Sequence, residues 1–144
     1  MSKKIMIVNG PNLNMLGTRE TNIYGTCTLD DIIENTKKNT ESLGVAVDAY
    51  QSNCEGEIID FLQKAAQEDY SGIVINAGAY SHYSYAIRDA IASVKLPCIE
   101  VHLSNIFARD EFRRKSVISP VCAGVISGFG GKVYELAIRA LCEK

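Results

Sequence analysis

Only two histidines occur in the 144 residues, and the second, His102, closes the segment Pro97-Cys98-Ile99-Glu100-Val101-His102. The segment is apolar except at Glu100 and His102, which is the pattern of a buried strand, and on a strand residues two apart share a face. The carboxylate and the imidazole therefore point the same way. In a sheet covered on both sides an ionised glutamate costs several kcal/mol unless it is paired. His102 is the available partner. A carboxylate beside an imidazole orients the ring and favours its protonated form, so the two together are equipped to donate a proton. A buried pair with a purely structural task is the alternative reading of the same residues.

Three further segments carry polar chemistry. Asn9 to Gly25 separates the first apolar run from the first helical pattern. An irregular connection longer than about 12–15 residues is uncommon in a compact domain and is usually a binding loop or lid. Arg19 and Tyr24 are its reactive side chains, and Gly10, Gly17 and Gly25 are expected as flexible points. The plain alternative is a surface excursion with a solvated arginine and a gap-filling tyrosine. Asn76 to Ser84 offers backbone N–H groups, an amide and the imidazole of His82 to a polyhydroxylated or anionic ligand. Here His82 serves equally well as a helix cap, and Tyr80, Tyr83 and Tyr85 as packing. Arg109, Arg113, Arg114 and Lys115 form a basic cluster suited to a carboxylate, or else a solvated turn.

The elements that must position these groups follow from periodicity. Apolar runs at Ile5–Val8, Val45–Tyr50, Ile73–Ile75, Cys98–Val101 and Val121–Ile126 alternate with helical patterns. Leu29, Ile32, Ile33 and Leu43 mark one helical face, with Thr28 as cap and Gly44 as stop. Ile58, Phe61, Leu62 and Ala65 mark a second, and Ile87, Ala90, Ile91 and Val94, ended by Pro97, a third. Val133, Leu136, Ala137, Ala140 and Leu141 mark the last. Strand–helix alternation of this kind predicts a doubly wound parallel α/β sheet of five strands in a three-layer α/β/α domain spanning residues 1–144. Such sheets bind ligands at the carboxyl ends of their strands, where all three polar segments and both histidines fall.

Composition narrows the ligand. With 15 Lys+Arg against 17 Asp+Glu the formal charge is −2, and no dense basic block marks a nucleic-acid or anionic membrane surface. The expected partner is a small molecule. The opening Ser2-Lys3-Lys4 and its short apolar run are too brief for an export signal or anchor. Five cysteines, Cys27, Cys54, Cys98, Cys122 and Cys142, form an odd, widely spaced set without a Cys-x-x-Cys pair, which reads as reduced thiols in the cytoplasm. No zinc site is expected, nor a magnesium cluster. Gly124 to Lys132 lacks the glycine and the Ser/Thr of a phosphate-binding loop, and no Gly-x-Gly-x-x-Gly follows the first strand. Neither ATP nor NAD is indicated.

Together, Gly-Pro-Asn-Leu-Asn-Met-Leu-Gly-Thr-Arg (10–19), Ile-Tyr-Gly (23–25), Gln-Ser-Asn-Cys-Glu-Gly (51–56), Asn-Ala-Gly-Ala-Tyr-Ser-His (76–82) and Glu-Val-His-Leu-Ser-Asn (100–105) closely resemble the type II 3-dehydroquinate dehydratases, essentially end to end. The resemblance implies a flavodoxin-like fold, no metal or cofactor, a homododecamer built as a tetramer of trimers, and dehydration of 3-dehydroquinate to 3-dehydroshikimate through an enolate. That elimination is a step of the shikimate pathway to aromatic amino acids, shared with quinate breakdown. The resemblance also implies roles. Tyr24 would abstract the proton alpha to the ketone, its phenol made more acidic by Arg19 and Arg109. Asn12 would help hold the enolate oxygen through water, and His102, oriented by Glu100, would protonate the departing hydroxyl. The substrate carboxylate would rest on the backbone N–H groups of Leu103 and Ser104, and its ring hydroxyls on Asn76, His82 and Arg113. Asp89 would come from a neighbouring subunit.

Three positions depart from the family pattern: Cys54 and Phe107 where histidines are frequent, and Tyr83 where a smaller residue is usual. They bear on pocket shape, and Cys54 adds a thiol open to oxidation near the site. Two other activities remain compatible with the residues alone. One is a module that binds a polyhydroxy acid without turnover; the other is a hydrolase or isomerase acting on a related hydroxy-keto acid.

Overall fold

The computed structural model describes residues 3–18 and 27–143. Five parallel strands, β1 (Lys3–Asn9), β2 (Val45–Gln51), β3 (Gly72–Asn76), β4 (Cys98–His102) and β5 (Gly124–Ser127), lie in the order β2-β1-β3-β4-β5. Helices α1 (Leu29–Thr40) and α4 (Lys132–Cys142) cover one face, and α2 (Glu55–Gln67) and α3 (Tyr85–Val94) the other. This is the doubly wound parallel sheet expected from the alternation of elements, in the flavodoxin-like order that the family resemblance implies.

Strand alternation sorts the core into two halves. Ile5, Ile7, Val74, Ile99 and Val101 face α1 and α4, whereas Met6, Val8, Ile73, Ile75 and Cys98 face α2 and α3. Local signals start and stop the elements. Thr28 caps α1 in a reciprocal box with Asp31, at 3.1 and 3.2 Å. A single turn over Glu41–Leu43 then ends at Gly44, whose φ of 68° is the left-handed conformation glycine tolerates.

The last strand differs from expectation. Val121 ends a short helical turn, Ser119–Val121, that Cys122 caps, and β5 begins only at Gly124. The N–H groups of Val121 and Cys122 bond back to Ile118 O and Ser119 O, at 3.1 and 3.0 Å, and so are lost to a ladder, and both side chains pack onto the core half beneath α2 and α3.

Gly10 differs as well. It is buried, its N–H donates to Asn76 O at 2.7 Å, and a Cβ there would lie 2.5 Å from Ala77 O. It is therefore a close-contact point between the chain leaving β1 and the chain leaving β3, and not a hinge. Gly78, with φ of 60°, sits against Pro11 O on the other side of the same crossing. Gly17 has φ of 89°, and Gly25 lies outside the described residues.

Candidate active site

Strand order reverses at β1, between its neighbours β2 and β3, and the carboxyl ends of β1 and β3 are in register at Asn9 and Asn76. A cleft of about 120 Å³ opens beside them. Three connections wall it. Asn12 comes from the segment after β1, Asn76 and His82 from the end of β3 and its following turn, and His102, Leu103, Ser104, Arg109 and Arg113 from β4 and beyond. Eight of the residues singled out in the sequence are thus brought to one place.

Glu100 lies behind His102, fully buried, and pairs with His102 Nε2 through its Oε2 at 2.5 Å. Its second oxygen, Oε1, accepts a hydrogen bond from Ser119 Oγ. Burial pushes this carboxyl up, but the bonds from His102 and Ser119, the charge of His102 and the Ser116 hydroxyl outweigh it and hold the group below the ordinary carboxylate range. Nε2 being committed to Glu100, Nδ1 is the His102 nitrogen left to meet a ligand.

His82 is not a helix cap; that task falls to Ser84, whose Oγ accepts from Ile87 N at 3.1 Å. His82 Nδ1 instead donates to Lys115 O at 2.7 Å, leaving Nε2 as an acceptor in the neutral ring. Burial, with His102 and Arg113 nearby, lowers its proton affinity below the ordinary imidazole value. The two imidazoles lie near parallel, with centroids 6.4 Å apart. Arg113 Nε is buried and has no hydrogen-bond partner among the described residues, Asp110 Oδ2 lying 3.9 Å away as an ion-pair partner, so a charged donor stands on the cleft wall. Asn12 holds φ of 70°, a left-handed conformation that asparagine tolerates, with its N–H bonded to Asn53 Oδ1 at 3.0 Å.

Other expectations fall elsewhere. Arg19 and Tyr24 lie outside the described residues. Asp89 is exposed on α3 and does not line the cleft of its own chain. Arg114 and Lys115 stand outside the cleft, Arg114 Nε bonding Arg109 O at 3.1 Å. Cys54, Tyr83 and Phe107 are all exposed and none lines the cleft, so their departures from the family pattern leave its described walls unchanged. Among the described residues no group of three His, Cys, Asp or Glu side chains converges as a metal site would, and no helix is long and apolar enough to cross a membrane.

The sequence did not single out Tyr134 or Ser119. Tyr134 is wholly buried, donates to Asn9 Oδ1 at 2.5 Å and accepts from Asn76 Nδ2 at 3.1 Å, while Gly78 N donates to Asn76 Oδ1 at 3.3 Å. The orientation of the Asn76 amide is set by this chain. A tyrosine on the inward, otherwise apolar face of the last helical pattern was its one sequence signal; Ser119 had none. Pro11, Leu13, Leu16, Gly78, Ala79 and Ile106 complete the walls, mostly as apolar filling.

A flavodoxin-like α/β protein whose switch-point cleft is walled by imidazoles, guanidinium groups and amides belongs to the class of small-molecule enzymes that do acid–base chemistry with side chains. The family model described as Dehydroquinase class II matches residues 3–142, and the chain belongs to that family. A 3-dehydroquinate dehydratase of Caldicellulosiruptor bescii is 55% identical over 141 residues, covering 98% of this chain and 97% of its own. One of Clostridium beijerinckii is 56% identical over 138 residues, covering 96% and 94%. The crystal structure of the type II dehydroquinase from Butyrivibrio crossotus matches with a TM-score of 0.95 at 52% identity, covering 97% of each chain.

Proposed function

We propose that the chain is a 3-dehydroquinate dehydratase of type II, catalysing the reversible anti elimination of water from 3-dehydroquinate to 3-dehydroshikimate within one catalytic domain. The observation that carries this reading is the buried Glu100–His102 pair, whose imidazole lines the cleft at the strand switch point. A module that only bound a polyhydroxy acid would gain nothing from a desolvated carboxylate–imidazole pair.

Tyr24 takes the proton alpha to the ketone, with Arg19 and Arg109 favouring the phenolate. The electron pair moves onto the carbonyl oxygen, and the enolate is held by Asn12 through a water molecule. The enolate then re-forms the ketone as the C–O bond of the departing hydroxyl breaks, and His102 gives that oxygen its proton from Nδ1. Tyr24 ends protonated and His102 neutral, so one proton must pass back between them, through water, to reset the site. Leu103 and Ser104 hold the substrate carboxylate on their N–H groups. Asn76, His82 and Arg113 hold the ring hydroxyls, with Arg113 Nε, which makes no hydrogen bond among the described residues, as one such donor. Asp89 reaches the site of a neighbouring subunit in a homododecamer, and the enzyme works in the cytoplasm without cofactor or metal.

The test is to mix the purified protein with 3-dehydroquinate and follow ultraviolet absorbance, since the elimination creates a conjugated enone. Turnover is expected, and its absence from folded protein overturns the reading. Tyr24→Phe and His102→Ala should each lower kcat by about 10²-fold or more with little change in unfolding temperature.

A further inference from the structure

Glu100 is anchored at both oxygens, and only one anchor is the imidazole it serves. The other, Ser119 Oγ on Oε1, opens the turn Ser119–Val121. That turn is itself fixed. Val117 and Ile118 are buried in the core beneath α2 and α3, and Val117 N donates to Ser81 O at 2.8 Å. Ser116 Oγ accepts from the N–H groups of Ile118 and Ser119, at 3.3 and 3.1 Å. The position of the Ser119 hydroxyl is therefore set by packed backbone.

We infer that Ser119 is a positioning residue of the acid: its hydroxyl holds the Glu100 carboxylate in register with His102, takes up part of its charge, and so sets how readily His102 releases its proton. The inference rests on His102 being the acid proposed above. Without the Ser119 donor, negative charge concentrates on the oxygen facing His102. The lone carboxylate left after proton release is then penalised more than the ion pair before it, so the pair gives up its proton at higher pH. The titratable and charged groups facing the pair are His82 from the turn after β3, Cys98 earlier on β4, Cys122 beyond the turn, and Arg109 and Arg113 on the cleft wall. Ser119 Oγ is the donor seen on Oε1, and the Ser116 hydroxyl favours the charged carboxylate less than Ser119 does, so it stays behind in the Ser119 variants without replacing it.

The experiment measures kcat for 3-dehydroquinate against pH in the unsubstituted protein and in Ser119→Ala, Ser119→Cys and Ser119→Thr. In Ser119→Ala, kcat should fall about tenfold, and the high-pH limb, which reports loss of the acid proton, should move up by about half to one unit. Ser119→Thr, which keeps the hydroxyl, should restore both, and Ser119→Cys, a weaker donor, should fall between. A lower kcat with an unmoved limb, or a profile identical to that of the unsubstituted protein, overturns the inference. Should the alanine variant not fold, the threonine and cysteine variants decide it: a limb at the same pH in both overturns it. An active His102→Ala variant would instead overturn the acid assignment itself, and this inference with it.

Discussion

Two amide side chains and a phenol tie the ends of β1 and β3 to α4, across 125 residues of sequence at the Tyr134–Asn9 bond. Burial pushes the Tyr134 phenol up, so it stays a hydrogen-bond donor throughout the working range. Tyr134→Phe leaves Asn9 Oδ1 without its donor and frees the Asn76 amide to turn. A loss of about 1–3 kcal/mol in unfolding free energy is expected, together with a KM for 3-dehydroquinate that rises more than kcat falls. Denaturant unfolding and steady-state kinetics on the one variant check both halves. The Glu100–His102 pair was legible in advance because residues two apart on a strand must share a face. Their support from Ser119 was not, because a serine in a loop carries no periodic signal and acquires its partner only when the turn packs over β4.

Between elements, the decisive contact is the crossing of the two connections at Gly10 and Gly78, where the backbone after β1 touches the backbone after β3. Gly10→Ala would place a methyl 2.5 Å from Ala77 O, a clash with backbone that no rotamer relieves. A loss of at least about 2 kcal/mol is expected. Gly56→Ala is the counterpart: the position lies inside α2 with nothing within 4 Å of the added carbon, so a gain of roughly 0.5–1 kcal/mol is expected. Thermal unfolding of the two variants should move in opposite directions. From sequence both are merely glycines after a strand, and only the approach of a second strand end distinguishes them. For the same reason the elements themselves were readable, being written in local period and caps, whereas the start of β5 was displaced because Val121 and Cys122 give their N–H groups to the preceding turn.

For the whole molecule, two groups near the cleft make stability depend on pH in the same direction. His82 binds its proton less readily when folded than at its ordinary value of 6.5, so the unfolded chain gains protons first and stability falls as pH drops below that value. Glu100 is held below its ordinary value of 4.5; its contribution is complete above that value and is lost as pH falls through the lower folded one. Unfolding temperature should therefore decline in two stages on acidification, and His82→Asn, whose amide can still donate to Lys115 O, should remove the upper stage. A decline in the carboxylate range alone would contradict the first assignment. The doubly wound sheet was legible in the sequence because its two core halves are written as alternating residues on each strand. The assembly of the cleft was legible only as far as polar segments following strands.

The cysteines, scattered along the chain, are sorted by the fold into three kinds, with Cys122 and Cys142 half-buried between the extremes. Cys27 and Cys54 are open to solvent, whereas Cys98 is 1% exposed at the start of β4, and a hydrogen bond with Cys122 and burial both raise its thiol well above the ordinary range. A thiol-specific reagent should thus modify the first two at once and Cys98 only when the sheet parts. The rate of that last modification is a built-in clock for how often the centre of the protein breathes.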